Sequence, residues 1–236
     1  HRYLPLGIPA SARDYVRAAV QKGEAREVAV RVKGDLSQLG SSRPAPGSEL
    51  RFAGQVRGVT LAYVPRALQP EGQPPWPPLE DVAGELIFEH NSMQVKNASA
   101  RVQGHPGWQF TRVQAGIADL GHTRVLVEAQ GRGPLAAAFG IVNASPVGGF
   151  IQQALARATA TGDSQLQLKL DLPVDRIRDA KVQGRATLAG NELRITPDSP
   201  ALTQAHGAVT FSDTGFALQD TRARLLGGEA RLSGGS

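Results

Sequence analysis

The amino-acid sequence predicts a mainly β protein, an elongated and curled antiparallel sheet with about three short helices. Two observations carry this prediction. Apolar residues alternate with polar ones in many short segments, which is typical of strands with one apolar face. In addition, residues 84–104 and 207–227 share one pattern without a gap, and repetition at this scale is typical of elongated, stacked β architectures. The 27 glycines and 16 prolines supply turns between strands.

The internal repeat is a strand, a turn and a second strand. Residues agree in character at one constant offset in the pairs Gly84/Gly207, Leu86/Val209, Phe88/Phe211, Met93/Phe216, Val95/Leu218, Ala98/Thr221, Ala100/Ala223, Val102/Leu225 and Gly104/Gly227. A weaker third copy is predicted from Gly184, with Leu188, Leu193 and Ile195 in the same phase. Unrelated strands can also align by chance, since alternation is the generic strand signal. The shared glycine and phenylalanine positions favour a true repeat.

The N-terminal part begins with a predicted short helix, which Ser11 caps and Gly23 ends. A strand follows at residues 27–33, with valines at every second position. Residues 37–48 are predicted to be a loop because they are rich in Ser, Pro and Gly.

The next part contains predicted strands at residues 50–57 and 59–64, then an extended excursion at 65–79, whose six prolines rule out a central strand. After the first repeat unit, further strands are predicted at 108–117 and 123–130. In total the pattern predicts about fifteen strands.

The periodicity then becomes helical. Residues 134–142 and 146–159 are predicted to be two helices, because apolar residues fall on one side of each at helical spacing. The strands resume with the clearest alternation in the chain, SQLQLKLDLP, which places Leu166, Leu168, Leu170 and Leu172 on one face.

The predicted organisation has three consecutive parts: residues 1–133 (helix and first strands), residues 134–160 (helical insert) and residues 161–236 (strand repeats that continue the same sheet). Because the chain opens without methionine and stops in strand rhythm, we expect it to be an internal fragment of a longer protein.

The charged residues do not point to catalysis or to nucleic acid. The net charge is +5, but the arginines are scattered singly along strands without interleaved aromatics, so a base-stacking platform is not expected. Cysteine is absent, and no histidine has a partner at metal-ligand spacing. Two carboxylate pairs could be proposed as an acid/base pair, Asp171 with Asp175 and Asp179 with Glu192. Solvent-facing aspartates beside turns are common, so neither pair indicates catalysis. The sequence therefore predicts no enzyme, no metal and no cofactor.

The apolar strand faces suggest a binding surface. Many strands carry such a face and few segments are available to cover it, so the chain either packs two sheets into a closed sandwich or curls one sheet into a trough for an acyl chain. Burying lipid in a trough is worth about 0.8 kcal/mol per CH₂. From strand parity, the predicted wall residues are Phe88, Met93, Val95, Leu166, Leu168, Leu170, Leu172, Phe211, Phe216 and Leu218.

Several short stretches, mostly structural, together carry a resemblance over essentially the whole chain. They are Arg2-Tyr3-Leu4-Pro5 before the first helix, Tyr63, Trp76-Pro77, Gly84-Glu85-Leu86-Ile87-Phe88, Ser145-Pro146, Leu168-Lys169-Leu170-Asp171-Leu172-Pro173, Gly184, residues 207–211 and Gly227-Gly228. In this order they resemble the YhdP-type proteins, relatives of AsmA and TamB in Gram-negative bacteria. One departure is Tyr15-Val16, where the family would have Trp-Leu.

The resemblance implies a segment of a repeating β-groove protein that spans the periplasm and is anchored in the inner membrane elsewhere in the parent chain. Such proteins carry phospholipids toward the outer membrane along an apolar groove, and no family catalytic residues exist to transfer. The implied partners are phospholipid acyl chains and neighbouring repeats of the parent. The alternative is a structural or interaction module with a closed core and no ligand, which pairs with partners by strand addition. A glycan-binding or glycan-hydrolysing domain is disfavoured by the two tryptophans, both near loops.

Overall fold

The described residues form one open antiparallel sheet of twelve strands with three short α-helices, which confirms the predicted mainly β fold class. A computed structural model describes residues 10–34 and 46–235. Sequential strands are hydrogen-bonded neighbours from β1 to β12, except that β6 pairs with β8 and the short β7 pairs with the far end of β9. The sheet is not closed into a barrel.

The elements follow one another along the chain with these bounds: α1 Ala10–Ala19, β1 Val20–Lys33, β2 Glu49–Leu61, β3 Leu79–Glu89, β4 Ser92–Val102, β5 Gln109–Ile117, β6 Arg124–Pro134, α2 Leu135–Asn143, α3 Pro146–Phe150, β7 Thr159–Thr161, β8 Asp163–Pro173, β9 Lys181–Arg194, β10 Leu202–Ser212, β11 Gly215–Leu225 and β12 Gly228–Leu232. Short 3₁₀ turns lie at Arg66–Leu68 and Val174–Asp179. Among residues 10–34 and 46–235, no helix has the length and apolar character needed to cross a membrane.

The internal repeat is real and is the pair of hairpins β3–β4 and β10–β11. Every strand bound of the second hairpin lies at the same constant offset from its counterpart in the first. The backbone repeats as well, because Asp81 and Gln204 both have φ 50°, while Asn97 and Asp220 have φ 50° and 48°.

These positive-φ residues are β-bulges. In the first hairpin the register shifts on either side of Ala83 and of Ala98. A bulge adds one residue to one strand, so the alternation changes phase there. This is why apolar positions in β4 step by two to Val95 and then by three to Ala98.

Residues 10–34 and 46–235 contain twelve strands rather than about fifteen, and a bulge accounts for part of the difference. The strands predicted at 50–57 and 59–64 are one strand, β2, which continues through Gly58 at φ 59°. The third repeat copy was wrong: β9 runs unbroken through Gly190, at φ 89°, where the repeat requires a turn.

Two helix bounds also differ from the prediction. The first helix ends at Ala19, and Gly23 lies inside β1, where a Cβ would approach Val59 Cγ2 to 2.5 Å. The second helix of the insert stops at Phe150 instead of residue 159, because the backbone turns to positive φ at Gln152 and Gln153. The side chain of Ser11 and residues 37–45 of the predicted loop lie outside the described part of the chain.

The sheet leaves much of its surface in solvent. The chain exposes 14765 Å², whereas a compact monomer of 24.9 kDa exposes about 10,200 Å². The excess excludes a tightly closed two-layer core and agrees with a sheet that has one long face open.

The helical insert is attached at one end of the sheet, where β6 ends and β8 begins. The Leu135 amide donates a hydrogen bond to the Gly162 carbonyl at 2.9 Å. The middle of α2 rests on the β4–β5 turn, since a Cβ on Gly140 would lie 2.9 Å from the His105 Nδ1. Burial lowers the pKa of the His105 imidazole.

Candidate functional site

All ten predicted wall residues lie on one face of the sheet, the apolar face. Residues directly opposite each other in an antiparallel pair share a face. A first row therefore crosses the sheet from Phe88 to Met93, and continues through Ile117 and Val125 to Leu172.

A second row runs parallel to the first. It joins Val95 to Ala115, Val127, Leu170 and Val182 in consecutive strands.

A third row joins β8 to β11. It passes from Leu168 through Gly184 and Phe211 to Phe216. Leu166 lies two residues before Leu168 in β8, and Leu218 lies two residues after Phe216 in β11.

Glycine at position 184 makes room for an aromatic ring on this face. A Cβ there would lie 2.1 Å from Phe211 Cζ, so the ring of Phe211 rests directly on the Gly184 backbone. The ring of Phe211 therefore covers β9 and joins the two halves of the third row.

Charge is segregated between the two faces. Outside the bulges, the register places every charged residue of the twelve described strands on the opposite face, here called the polar face. At the bulges, the Asp81 carboxylate pairs with Arg101 and the Arg112 guanidinium donates to Gln130, both on the polar face. Within residues 10–34 and 46–235, no group of His, Asp or Glu side chains is arranged to hold a metal ion.

Two ion pairs join β6 to β8 on the polar face, directly behind the leucine column of β8. The Arg124 Nε donates to the Asp171 carboxylate at 2.6 Å, and Lys169 Nζ lies 2.7 Å from the Glu128 carboxylate. The Arg124 guanidinium lowers the pKa of the Asp171 carboxyl group. These contacts fix the register of β6 against β8, and thereby the alignment of the leucines with their partners on the apolar face.

The apolar face is only partly buried. Leu166, Leu168, Leu170 and Leu172 are all half-buried, although leucines in a closed core are usually buried completely. Exposure rises toward the two edges of the sheet: Val28 is 58% exposed in the edge strand β1, and Phe216 is 48% exposed in β11, the neighbour of the edge strand β12.

Burial is complete near the bulges and beside the insert. Ala98, Ala100 and Ala223 are at most 5% exposed. Trp108 is 3% exposed, and its ring lies over Gly131, where a Cβ would be 3.0 Å from Trp108 Cζ2. One end of the apolar face is thus filled by protein, while the leucine and valine rows stay accessible.

Sequence reasoning missed part of this face, chiefly Val125 and Val127 in β6. Leu126 lies between them and points to the polar face, where it is 53% exposed. Three consecutive apolar residues hide an alternation of period two. The alignment of β6 with the regular leucine column of β8 is the information that resolves it.

The comparisons with known proteins show the family to which the chain belongs. The model of the family described as YhdP protein matches residues 1–236, the whole chain. The chain belongs to the YhdP family. It is also 27% identical over 199 residues to the intermembrane phospholipid transporter YhdP of Escherichia coli (strain K12). That match covers 84% of this chain and 14% of the relative, so the chain spans about one seventh of the YhdP relative's length. No solved structure matches the chain.

Proposed function

We propose that this chain is a lipid-conducting segment of a cell-envelope phospholipid transport protein, and that acyl chains lie on its apolar face in a groove formed by the curled sheet. The observation that carries the proposal is a half-exposed apolar face that extends across an open sheet and has no charged residue outside the bulges. The name of the YhdP relative, an intermembrane phospholipid transporter, gives the lipid class. The proposed role is non-enzymatic.

The energetics favour a lipid ligand. Each CH₂ group transferred from water to an apolar wall contributes about 0.8 kcal/mol, so the affinity rises with the length of acyl chain that the wall covers. The headgroup stays in solvent, because the apolar face offers no charged residue to compensate for its dehydration. The wall residues are those of the three rows, with Leu166, Leu168, Leu170 and Leu172 as their most regular column.

The two edge strands indicate how the segment continues. Among the strands of residues 10–34 and 46–235, β1 and β12 each have one neighbour, and an edge strand is a template for pairing with another strand. We place the neighbouring repeats of the parent chain on these edges, so that the apolar face continues from repeat to repeat. The parent would lie in the periplasm with its anchor in the inner membrane.

The test is lipid retention by the purified protein, measured by native mass spectrometry and lipid extraction. Leu168→Asp places a carboxylate in the middle of the wall, where a bound chain would strip it of water. We expect lipid occupancy to fall by at least about tenfold, which corresponds to about 1.4 kcal/mol.

The matched control is Gln167→Asp. It adds the same carboxylate one residue away, on the polar face and opposite Arg185, and should leave lipid retention unchanged. If the wild-type protein is purified without lipid and does not bind added phospholipid, the result would instead favour a structural module that acts through its edge strands.

A further inference from the structure

The helical insert carries a second apolar surface. Residues 134–156 contain no charged side chain. Phe139, Ile141 and Val142 in α2 are only half-buried, and Phe150 at the end of α3 is 74% exposed. A helix that is apolar on all sides is normally buried, so this exposure calls for a partner.

The base of the insert is buried in the protein, and its tip is exposed to solvent. Leu135 and Ser145 are 5% and 2% exposed, and Pro146 is buried as well. The Asn143 Nδ2 donates to the Leu155 carbonyl at 2.8 Å, which ties the returning segment to the end of α2. The apolar residues beyond this point, Phe150 above all, therefore project from an anchored support.

The insert continues the apolar face of the sheet. In β6 that face is formed by Val127, Ala129 and Gly131, and the same strand leads directly into α2. Trp108 covers Gly131, and Leu166 is within van der Waals distance of the same position. The insert therefore stands where the accessible rows give way to protein-filled core.

The absence of charge selects the partner. Helices that lie on a membrane surface carry Lys and Arg for anionic headgroups, whereas the first cation after Pro134 is Arg157. The exposed polar side chains of this surface, Gln152 and Gln153, are uncharged. An acyl chain, without charge or hydrogen-bonding groups, fits the apolar residues of α2 and Phe150.

We propose that residues 135–156 form an apolar arm over the acyl chains on the sheet, with Phe150 as its lipid contact. This inference rests on the proposed function and adds that the lipid lies between two protein surfaces near the end of β6 and β8. The arm would then set the depth to which acyl chains enter.

The experiment places the photoreactive amino acid p-benzoylphenylalanine at single positions in the full-length protein in cells labelled with radioactive phosphate. Position 150 tests the arm, and position 170 reports on the wall of the sheet. Position 226 is the matched control, because Leu226 is 86% exposed in the β11–β12 turn, and β11 is the third strand along the sheet from β8. We expect phospholipid adducts at 170 and at 150, and about tenfold less at 226.

Each outcome separates the two proposals. Phospholipid adducts at position 170 but not at 150 contradict the proposed arm and still support the lipid groove. Absence of adducts at both positions contradicts both proposals. Equal labelling at 226 and 150, or a protein adduct at 150, overturns the arm as well. Adding Leu168→Asp must abolish the adduct at 150; an adduct that persists shows that the arm meets a bilayer instead of lipid in the groove.

Discussion

Replacing the repeat glycines separates two physical costs that shape the sheet. Gly207 has φ 126°, and a Cβ there would lie 2.6 Å from the Thr221 Cα in the next strand. Its repeat partner Gly84 has the same crowding, 2.7 Å to the Ala98 Cβ, without a positive φ. Gly227 has φ 85° and open space around it. Replacement of Gly207 therefore carries both costs, replacement of Gly84 carries the crowding cost alone, and replacement of Gly227 carries the backbone cost alone.

The magnitudes follow from these surroundings. Gly227→Ala should lower the free energy of unfolding by about 1 kcal/mol, the cost of a side chain at positive φ. Gly84→Ala should cost about 1–3 kcal/mol, because the clash is with a neighbouring strand that must move. Gly207→Ala should cost about 2–4 kcal/mol, near the sum of the two.

Urea unfolding measures all three variants, with an unchanged m-value as the sign that only stability has changed. If Gly207→Ala costs no more than Gly227→Ala, the strands do not approach each other closely at the bulge, and the bend of the sheet has another cause. If Gly84→Ala is neutral, the two repeat units are not equivalent in packing.

Two further predictions concern hydrogen bonds and ion pairs. Asn191 is 1% exposed, and its Nδ2 donates to the carbonyls of Thr161 and Asp163 at 3.0 Å. Asn191→Ala should therefore lower the free energy of unfolding, measured with urea, by about 2–3 kcal/mol. A neutral result would mean that water replaces the amide. Arg124 lowers the pKa of Asp171, so this pair stabilises the fold above the unfolded pKa of about 3.9 and ceases to do so as pH falls through the lower folded value. Asp171→Asn should therefore flatten the loss of stability below about pH 4, measured by unfolding at successive pH values; an unchanged profile would assign the acid sensitivity to other carboxylates.

The lipid-retention and cross-linking experiments address function, and the stability experiments address the sheet that presents the apolar face.

The alternation of apolar residues was sufficient to predict the fold class and the face on which each predicted wall residue lies. Side chains of a strand alternate between two faces with a period of two, so the assignment of Leu166, Leu168 and Leu170 to one face needs no knowledge of neighbouring strands. The β3–β4 and β10–β11 repeat was likewise visible as a shared pattern.

The bulges, the number of strands and the openness of the sheet were decided by tertiary structure. A bulge such as that at Gly58 interrupts the alternation in the same way as a turn, so two predicted strands became one. Periodicity fixes the direction of a side chain but not which strand lies beside it, and an apolar face reads the same whether it is half-exposed or closed against a second sheet. Only the pairing of eleven strands in one open path, with β7 beside β9, and the half-exposure of the β8 leucines showed that this face stays accessible, because both are properties of the assembled sheet and not of any strand.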